Sequence, residues 1–474
     1  MMKKCLIVLL ITALFSMVAF AGLIDEAEQK AADLTQKLAQ TDLLWTAGTN
    51  QGFIEPFEGK VASLDEFYSK LNGVNEMIMK IKNDFHGFED SRMNTTDDLV
   101  SSSWVVIKPE VIADSSFYRL EPVRNQQYYG SCWAFSAVGA FESARAVQVL
   151  EQPVNGNVDN LVDYSERWAG YHNVESIDGT LQDKDKLSGG WPSYALYNGV
   201  RYGMLDEEAA PYSQVFISNQ ENIPLPTTAY GAPRTHSSKS IMIPEAGWGG
   251  GIAQAMGYTY DDFINMIKTA IKQYGSLSYS YVVPGDFSAY SHGIYSPLVG
   301  PSPNDGGHAV TLVGWAAVSD LDDIILNGKI DPEAQPILAE EIVNYTYYDP
   351  YVEATKTTNL CWIVKNSWDY TWGDGGYFVV PAISEEEYNS EDAWLISQWQ
   401  PEWNWMFTPI FDEYAKHVGD DLDINQDGVV DAEDFVALAQ MLGTTDTGLG
   451  DLSYPKDRKV TNDDMATWIY LYNQ

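Results

Sequence analysis

Cys132 is the residue of this chain best placed for nucleophilic chemistry. It follows Gly130-Ser131 and begins an apolar segment, Trp133 to Phe141, whose composition predicts a buried helix. A cysteine in the first turn of a helix lies near unpaired backbone N–H groups and the positive end of the helix dipole. Both favour the thiolate, which is the nucleophilic form. The alternative is a small buried apolar cysteine, the commoner role of an isolated Cys.

The chain also supplies the partners that a cysteine nucleophile needs, a base and a group that orients the base. His308 follows two glycines, which leave its ring accessible, and precedes an apolar strand pattern that would hold it. Asn366 ends a buried strand pattern, and its amide can accept from an imidazole and fix the tautomer. Trp368 would shield that bond from water. The other histidines lie in polar or turn-like segments: His86, His172, His236, His292 and His417.

Five segments, in this order, resemble the papain family of cysteine peptidases. They are Pro122–Gln126, Gly130–Ser136, Ser188–Pro192, Gly307–Val310 and Lys365–Trp368. The cysteine segment is similar to the family's signature around its nucleophile. The resemblance implies an α+β fold with two lobes, one helical and one β-barrel-like, over residues 106–385.

The resemblance also implies a role for each site residue. Cys132 is then the nucleophile, His308 the acid and base, and Asn366 the orienting residue. Gln126 is the side-chain donor of an oxyanion hole that also uses the backbone N–H of Cys132. The implied substrate-binding residues are Gly130, Ser131, Gly189, Gly190, Trp191, Gly307 and Trp368. The substrates would be proteins and peptides, and catalysis would need no cofactor.

The chain departs from the family pattern beside the nucleophile. Tyr129 and Leu187 stand where the family has the two cysteines of a disulfide. Since both ends are missing together, we expect packing to hold this loop in place of a covalent bond.

Two stretches of the main domain look inserted. Residues 214–258 are rich in Pro and Gly, and residues 316–358 are acidic, with a short apolar helix expected around Ile330–Val343. The second insertion is expected to shape or cover the primed side of the cleft. Between them, apolar periodicity predicts a helix over Asp261–Tyr274 and a strand over Ser276–Val283.

Residues 1–21 have the pattern of a secretory signal peptide. Lys3 and Lys4 precede an apolar run that ends in Ala19-Phe20-Ala21, a small-residue cleavage pattern. A membrane anchor is the alternative, but the run is short for a span and acidic residues follow it. The net charge of −39 argues against nucleic acid and anionic membranes as partners, because both would repel the chain. The sequence therefore predicts a secreted protein with no membrane span after signal removal.

Residues 22 to about 87 show polar, helical patterning, with apolar residues at three- and four-residue steps over 23–38 and 67–81 and a turn-rich break at 44–50. Residues 88–105 are mostly polar and are expected to be extended. The segment Trp45-Thr46-Ala47-Gly48-Thr49-Asn50 resembles the W-x-A-G-x-N stretch in propeptides of cathepsin B-like members. The resemblance implies a helical prosegment that lies in the cleft and is removed on activation. A permanent packing domain is the alternative.

Farther along the chain, residues 386–418 are rich in tryptophan and are expected to pack on the main domain, with a ligand-stacking platform as the alternative.

Residues 419–474 contain a calcium-loop pattern, with Gly428 at the sharp turn and oxygen ligands at the usual loop positions. The ligands would be Asp423, Asn425, Asp427, the carbonyl group of Val429, Asp431 and Asp434. An Asp-rich turn without an ion is the alternative. A weaker half-repeat follows at Asp457, Thr461 and Asp464. This segment resembles a dockerin, a small all-α, EF-hand-like module, which implies calcium-dependent folding and a cohesin-type scaffold or cell-surface partner.

The sequence therefore favours a secreted cysteine endopeptidase, made as a zymogen and tethered through its calcium-dependent tail. A catalytically silent scaffold component that keeps the papain fold is one alternative. A Cys-His-Asn acyltransferase is another.

Overall fold

The structure is a computed structural model that describes residues 24–49, 62–63, 88–90, 103–104, 123–149, 163–171, 189–201, 203–212, 229, 232, 234–247, 251–326, 333–390, 395–411, 422, 424–425, 431–444 and 460–472. The predicted signal peptide, 1–21, and the helical pattern over 67–81 lie outside these residues. Within the described part of the chain, no helix combines the length and the apolar character needed to cross a bilayer.

The helices span residues 24–38, Cys132–Gln148, Glu166–Tyr171, Pro192–Arg201, Ile252–Ala255, Tyr260–Tyr274, Glu385–Tyr388, Ala432–Gln440 and Asn462–Tyr472. The predicted helix over Asp261–Tyr274 is confirmed to within one residue. It begins with a capping box, in which the Thr259 hydroxyl accepts from the backbone N–H of Asp262 and the Asp262 carboxylate accepts from the backbone N–H of Thr259.

The strands are β1 (Trp45–Ala47), β2 (Ala62–Ser63), β3 (Phe88–Asp90), β4 (Ser103–Trp104), β5 (Met204–Leu205), β6 (Arg234–Thr235), β7 (Lys239–Ile243), β8 (Leu277–Val283), β9 (Tyr290–Gly293), β10 (Gly306–Ala317), β11 (Tyr345–Asp349), β12 (Ala354–Thr358), β13 (Leu360–Lys365), β14 (Tyr377–Pro381) and β15 (Met406–Ile410). The predicted strand over Ser276–Val283 is therefore also present, as β8.

The main sheet is built around β10. Its order is β14-β13-β10-β8-β15-β7-β3, and its strands pair antiparallel except for β3, which runs parallel to β7. The long helix Cys132–Gln148 packs against β10, β8 and β15. Ser136 fixes this contact, because its hydroxyl donates to the carbonyl of Val310 at 2.5 Å. Gly139 keeps the helix close, since a Cβ atom there would lie 3.2 Å from the Thr311 hydroxyl oxygen.

The predicted limits of the main domain need correction. β7 lies inside the stretch 214–258 that looks inserted, and β15 lies beyond the predicted end at residue 385. Both are strands of the main sheet, where β15 pairs with β7 on one side and β8 on the other. The domain therefore continues through Phe411. The described tryptophans of the segment 386–418 are buried in the core, which agrees with the packing role: Trp399, Trp403 and Trp405.

The insertion 316–358 contains a hairpin in place of the expected helix. Residues 333–344 hold turns and bends with no helix, and Pro336 cannot donate the backbone hydrogen bond that a helix interior requires. β11 and β12 then pair antiparallel. The hairpin is anchored by the buried ammonium group of Lys356, which lies 2.8 Å from carboxylate oxygens of Asp349 and Glu387.

The helix predicted over 23–38 is present in the N-terminal region, and the short strands β1, β3 and β4 lie in the predicted break and the predicted extended stretch. The described part of this region contains the helix 24–38 and then four short strands, β1 to β4, which pair with strands of the main domain. The physical reason is that β10 is longer than its neighbours. β8 covers one edge of β10 from Gly306 to Val310, and β13 covers the opposite edge from Thr311 onward. β2 and β4 occupy parts of the two uncovered edges, at Gly306–Gly307 and Gly314–Trp315.

The C-terminal segment has its own small core. The helices Ala432–Gln440 and Asn462–Tyr472 enclose the buried side chains Leu422, Ile424, Leu438, Val460 and Trp468. The Trp468 indole N–H donates to the carbonyl of Leu422 at 2.9 Å.

Candidate active site

Cys132 is the first residue of the long helix, and Ser131 precedes it as the N-cap residue. The position of Ser131 is set by Tyr212, whose hydroxyl lies 2.7 Å from the Ser131 hydroxyl. The Tyr212 hydroxyl also donates to the carbonyl of Gln126 at 2.9 Å. Because a tyrosine hydroxyl has one proton, Ser131 is the donor toward Tyr212. The start of the helix is therefore fixed by a chain of hydrogen bonds.

His308 and Asn366 are hydrogen-bonded to each other. The Nε2 atom of His308 lies 2.8 Å from Oδ1 of Asn366. The same oxygen accepts from the backbone N–H of Ser367 at 2.8 Å, which identifies it as the carbonyl oxygen of the amide. Nε2 is therefore the protonated nitrogen of the neutral ring, and Nδ1 is the nitrogen able to take a proton from a nucleophile.

The sheet register explains why these residues meet. β10 and β13 pair Thr311 with Lys365, the last residue of β13. Asn366 and Trp368 follow that residue directly, and His308 lies three residues before Thr311 on β10. The ring centroids of His308 and Trp368 are 4.8 Å apart, and both side chains are buried. On the other edge of β10, Tyr281 of β8 pairs directly with His308. The shielding role that the sequence predicts for Trp368 agrees with this placement.

Cys132 is linked to the histidine strand. The backbone N–H of Ala309, the residue after His308, donates a hydrogen bond to the Cys132 thiol. Burial nevertheless raises the pKa of Cys132 to about 11, against the lowering effect of that N–H and of the backbone N–H groups of Trp133 and Cys132. Desolvation of the thiol therefore opposes the stabilising effect that the helix start is expected to have on the thiolate.

Gln126 is fully buried beside the nucleophile. Its backbone N–H donates to the carbonyl of Ser367 at 2.9 Å, and the Ser367 hydroxyl donates to the Gln126 side-chain oxygen at 2.7 Å. The side-chain amide donates to the carbonyl of Tyr129 at 2.7 Å. These bonds brace the loop that the family's disulfide would brace, and Tyr129 packs with Phe135 and Tyr212. Leu187, the other substituted position, lies outside the described residues.

The predicted substrate-binding residues lie on two sides of the nucleophile. The backbone N–H of Gly189 donates to the carbonyl of Gly130 at 2.8 Å, and Gly189 has a φ of 95°, which favours glycine. Gly190 follows it, half-buried, and Trp191 is buried. On the other side, Gly307 of β10 pairs with Ala62 of β2. A strand of the N-terminal region thus occupies the backbone edge directly before His308.

A small pocket adjoins Asn366 and is lined in part by charged groups that sequence reasoning missed. It is lined by Arg124, Phe135, Ser136, Gly139, Glu142, Glu166, Ala309, Val310, Thr311, Lys365, Asn366 and Ser367. Burial, and then the charge of Glu207, raises the pKa of Glu166 to about 8. In the sequence these charged residues lie next to apolar helix and strand patterns. Charged residues in such positions are common on protein surfaces, so the sequence did not mark them as part of a pocket.

The calcium-loop pattern is described in part. Asp423, Asp427 and Val429 lie outside the described residues, as does Asp457 of the half-repeat. Asp434 is fully buried, and its carboxylate accepts from the backbone N–H groups of Asn425 at 3.0 Å and Asp431 at 2.8 Å. Within the described part of the chain, no group of three metal-ligating side chains is assembled, and no Lys or Arg forms an ion pair with Asp434. Both oxygens of this carboxylate therefore bond to backbone N–H groups of the predicted loop, and the bond from Asp431 belongs to the capping box of the helix Ala432–Gln440.

The fold and this set of residues are of the papain type. The chain belongs to the papain family of cysteine proteases, since residues 112–396 match the family's sequence profile. The family membership that the sequence predicts is thereby confirmed.

Individual relatives are more distant. The chain is similar to Pro-cathepsin H of Mus musculus, with 26% identity over 266 residues, 55% of this chain and 56% of that protein. It is similar to the Oryzain gamma chain of Oryza sativa subsp. japonica, with 27% identity over 267 residues, 55% of this chain and 51% of that protein. The chain thus spans about half the length of these relatives. A solved structure of digestive procathepsin L 3 from Tenebrio molitor larval midgut covers 83% of this chain and 92% of its own, with 14% identity and a TM-score of 0.49.

Proposed function

We propose that this protein hydrolyses peptide bonds by forming an acyl-enzyme on Cys132. The observation that carries the proposal is the bond from Nε2 of His308 to Asn366. That bond leaves Nδ1 of His308 as the proton acceptor. The next residue, Ala309, donates its backbone N–H to the Cys132 thiol, so the histidine lies close to the nucleophile in the fold. The three residues therefore have the relationship of nucleophile, base and orienting group.

In the proposed reaction, Nδ1 of His308 takes the thiol proton of Cys132 as the sulfur attacks the substrate carbonyl carbon. The developing oxyanion accepts from the backbone N–H of Cys132 and from Gln126. Gln126 has two amide hydrogens, and one of them already bonds to Tyr129, so the second serves the oxyanion. The imidazolium returns its proton to the leaving amine. Water, deprotonated by the same nitrogen, then attacks the thioester and releases the carboxylic acid and the free thiol.

We propose further that residues 22–105 are an inhibitory prosegment. Two observations support this. β2 lies on the β10 edge at Gly306–Gly307, immediately before His308, where an extended substrate would otherwise pair. In addition, β1 pairs antiparallel with β9 of the main domain, so the N-terminal region is held to the domain at a second place. Removal of the N-terminal region would open the β10 edge.

We also propose that the protein is exported by its 1–21 segment and tethered by residues 419–474. The buried carboxylate of Asp434 supports a bound calcium ion, which Asp423, Asn425, Asp427, Val429, Asp431 and Asp434 would hold. The ion would supply positive charge that stabilises the loop, and it takes no part in the peptidase chemistry. The folded tail would present its helices to a cohesin-type protein partner.

The test compares the two cysteines of the exported chain. Cys132→Ala should abolish hydrolysis of an unfolded protein and of a dipeptide amide, together with labelling by a thiol-directed epoxide. Cys361→Ala is the matched control, because Cys361 is buried in β13 and has no proposed role. Unchanged turnover in Cys132→Ala would sink the proposal. Transfer to an added amine faster than to water would indicate an acyltransferase, and an inert wild-type protein without its prosegment would indicate a silent scaffold component.

The prosegment proposal is tested by the N-terminal sequence of the active form. A new N-terminus near residue 105, appearing together with activity, is the expected result. Full activity in a chain that still carries residues 24–49 would mean that the region is a permanent domain.

A further inference from the structure

Trp45 of β1 fills a closed aromatic pocket on the main domain. Its side chain is 3% exposed, and its indole N–H donates to the carbonyl of Ser296 at 2.9 Å. The rings of Tyr290 and Tyr295 face it, with centroids 6.4 and 5.3 Å from the Trp45 ring. A pocket with aromatic walls and one carbonyl acceptor at its base matches an indole, which is apolar except for one donor.

The insertion 316–358 supplies another wall of this pocket. Tyr345 of β11 is buried, and its hydroxyl lies 2.8 Å from the hydroxyl of Ser296. The same tyrosine accepts a hydrogen bond from the backbone N–H of Leu44, the residue before Trp45. Tyr345 is itself held by stacking on Tyr347, with ring centroids 5.0 Å apart. The insertion therefore contacts both the pocket and the strand that occupies it.

The backbone beside the pocket accepts an extended chain. β1 pairs antiparallel with β9, and outside this pairing the Ile294 N–H donates to the Leu44 carbonyl at 2.7 Å. The approach is close at Gly293, where a Cβ atom would lie 2.0 Å from the Leu44 carbonyl oxygen. The φ of 99° at Gly293 is also one that side-chain-bearing residues rarely adopt. Gly293 thus keeps this edge open to an incoming strand.

The pocket is connected to the catalytic centre by a run of packed rings. His308 contacts Trp368 at 4.8 Å, Trp368 contacts Trp372 at 5.3 Å, and Trp372 contacts Tyr290 at 5.5 Å between centroids. The pocket therefore lies on the Trp368 side of His308, three ring contacts away.

The walls do not depend on Trp45. The Tyr290 hydroxyl donates to the carbonyl of Gly293 at 2.8 Å, and the Tyr295 hydroxyl donates to the Asp286 carboxylate at 2.6 Å. Tyr345 is held by Ser296, as described above. A pocket whose walls are anchored in this way remains formed when its occupant leaves, and a preformed site loses little free energy to ordering when it binds again.

We propose that, once the N-terminal region is removed, this pocket and the β9 edge form a secondary binding site for an extended, tryptophan-bearing segment of the polypeptide substrate. The inference rests on the proposed peptidase function and gives the insertion a role in substrate selection. The occupant is identified by what occupies the site now, an extended strand whose tryptophan donates to Ser296. The continuity with the catalytic rings favours a substrate over a separate partner.

The experiment uses the Cys132→Ala chain from which an added, unrelated protease has removed the N-terminal region, as checked by N-terminal sequencing. A dye-labelled peptide of residues 43–49 is titrated by fluorescence anisotropy, with the Trp45→Ala peptide in parallel. The tryptophan peptide should bind at least about tenfold more tightly, as buried aromatic anchors usually do. Tyr345→Ala should reduce this binding by a similar factor. Tyr348→Ala should not, because Tyr348 lies on the same strand with its side chain 53% exposed.

Two further measurements keep the result unambiguous. Tyr345→Phe retains the ring and removes the hydroxyl, so it replaces Tyr345→Ala if the latter fails to fold, and it should weaken binding through the lost contact with Ser296. Equal affinity for the two peptides, or an equal effect of the Tyr345 and Tyr348 variants, would overturn the proposal. Self-association that blocks the peptide, seen by sedimentation, would also overturn it, since a second copy would then be the occupant. Because binding is measured without the nucleophile, it is independent of whether the wild-type protein hydrolyses a dipeptide amide.

Discussion

The Nδ1 atom of His292 lies 2.6 Å from a carboxylate oxygen of Asp374, and its Nε2 atom lies 3.0 Å from the carbonyl oxygen of Pro336. A backbone carbonyl can only accept, and so can an ionised carboxylate. Both ring nitrogens can therefore donate only when the imidazole is protonated. His292 belongs to β9, and Pro336 belongs to the insertion, so this imidazolium ties the insertion to the strand beside the Trp45 pocket.

Because both contacts of His292 need a protonated ring, we expect them to stabilise the folded protein in a pH-dependent way. Burial disfavours the imidazolium, but the hydrogen bond and charge of Asp374, with the carbonyl of Pro336, outweigh burial and raise the pKa of His292. A raised folded-state pKa gives stabilisation that is fully present below the unfolded pKa, about 6.5, and is lost as pH rises through the folded value. Thermal unfolding should show His292→Gln destabilised at pH 5 and closer to wild type at pH 9. His236→Gln is the control, and a parallel pH dependence in both variants would contradict the prediction.

The sequence pointed to the candidate catalytic residues because each lies in a short, distinctive run, as Cys132 and Asn366 show. It did not predict that β15 pairs with β8, because these two strands are separated by many residues and local patterns carry no information on long-range pairing. The expected helix around Ile330–Val343 failed for a different reason. Its apolar residues suited a helix, but Pro336 interrupts the backbone hydrogen bonds. His292 was passed over because its partner Asp374 is distant in sequence.

Asn366 is expected to act through His308 as a positioning residue. Asn366→Ala removes the acceptor that fixes the imidazole tautomer, so kcat should fall by on the order of 100-fold or more while KM changes little. Steady-state kinetics on a dipeptide amide measure both constants. Asn389→Ala is the control, because Asn389 is exposed and far from the site in sequence. A fall in kcat that matches a loss of thermal stability would point to a merely structural role.

Glu166 should give the protein a second pH-dependent contribution to stability, caused by the burial of a carboxyl group. Burial and the charge of Glu207 raise its pKa to about 8. A carboxyl group whose folded pKa lies above its unfolded value contributes stability at low pH, and that contribution is lost as pH rises between the two values. Glu166→Gln, which cannot ionise, should therefore be more stable than wild type at pH 9, on the order of a few kcal/mol, and similar to it near pH 4. Denaturant unfolding at the two pH values, with the exposed Glu341→Gln as control, checks this sign.

Asp434 offers the sharpest test of the calcium loop. Its buried carboxylate accepts from Asn425 and Asp431, so Asp434→Asn keeps the side-chain shape while removing the charge that would balance the ion. Calcium affinity, measured by calorimetry on the full chain, should fall at least about tenfold, because affinity in such loops follows the number of charged ligands. Glu433→Gln removes the same charge from the exposed neighbouring position and should change affinity little. Equal effects of the two substitutions would mean that only the general negative charge attracts calcium. Full folding of the helix Ala432–Gln440 in chelator would show instead that the tail has no need of an ion.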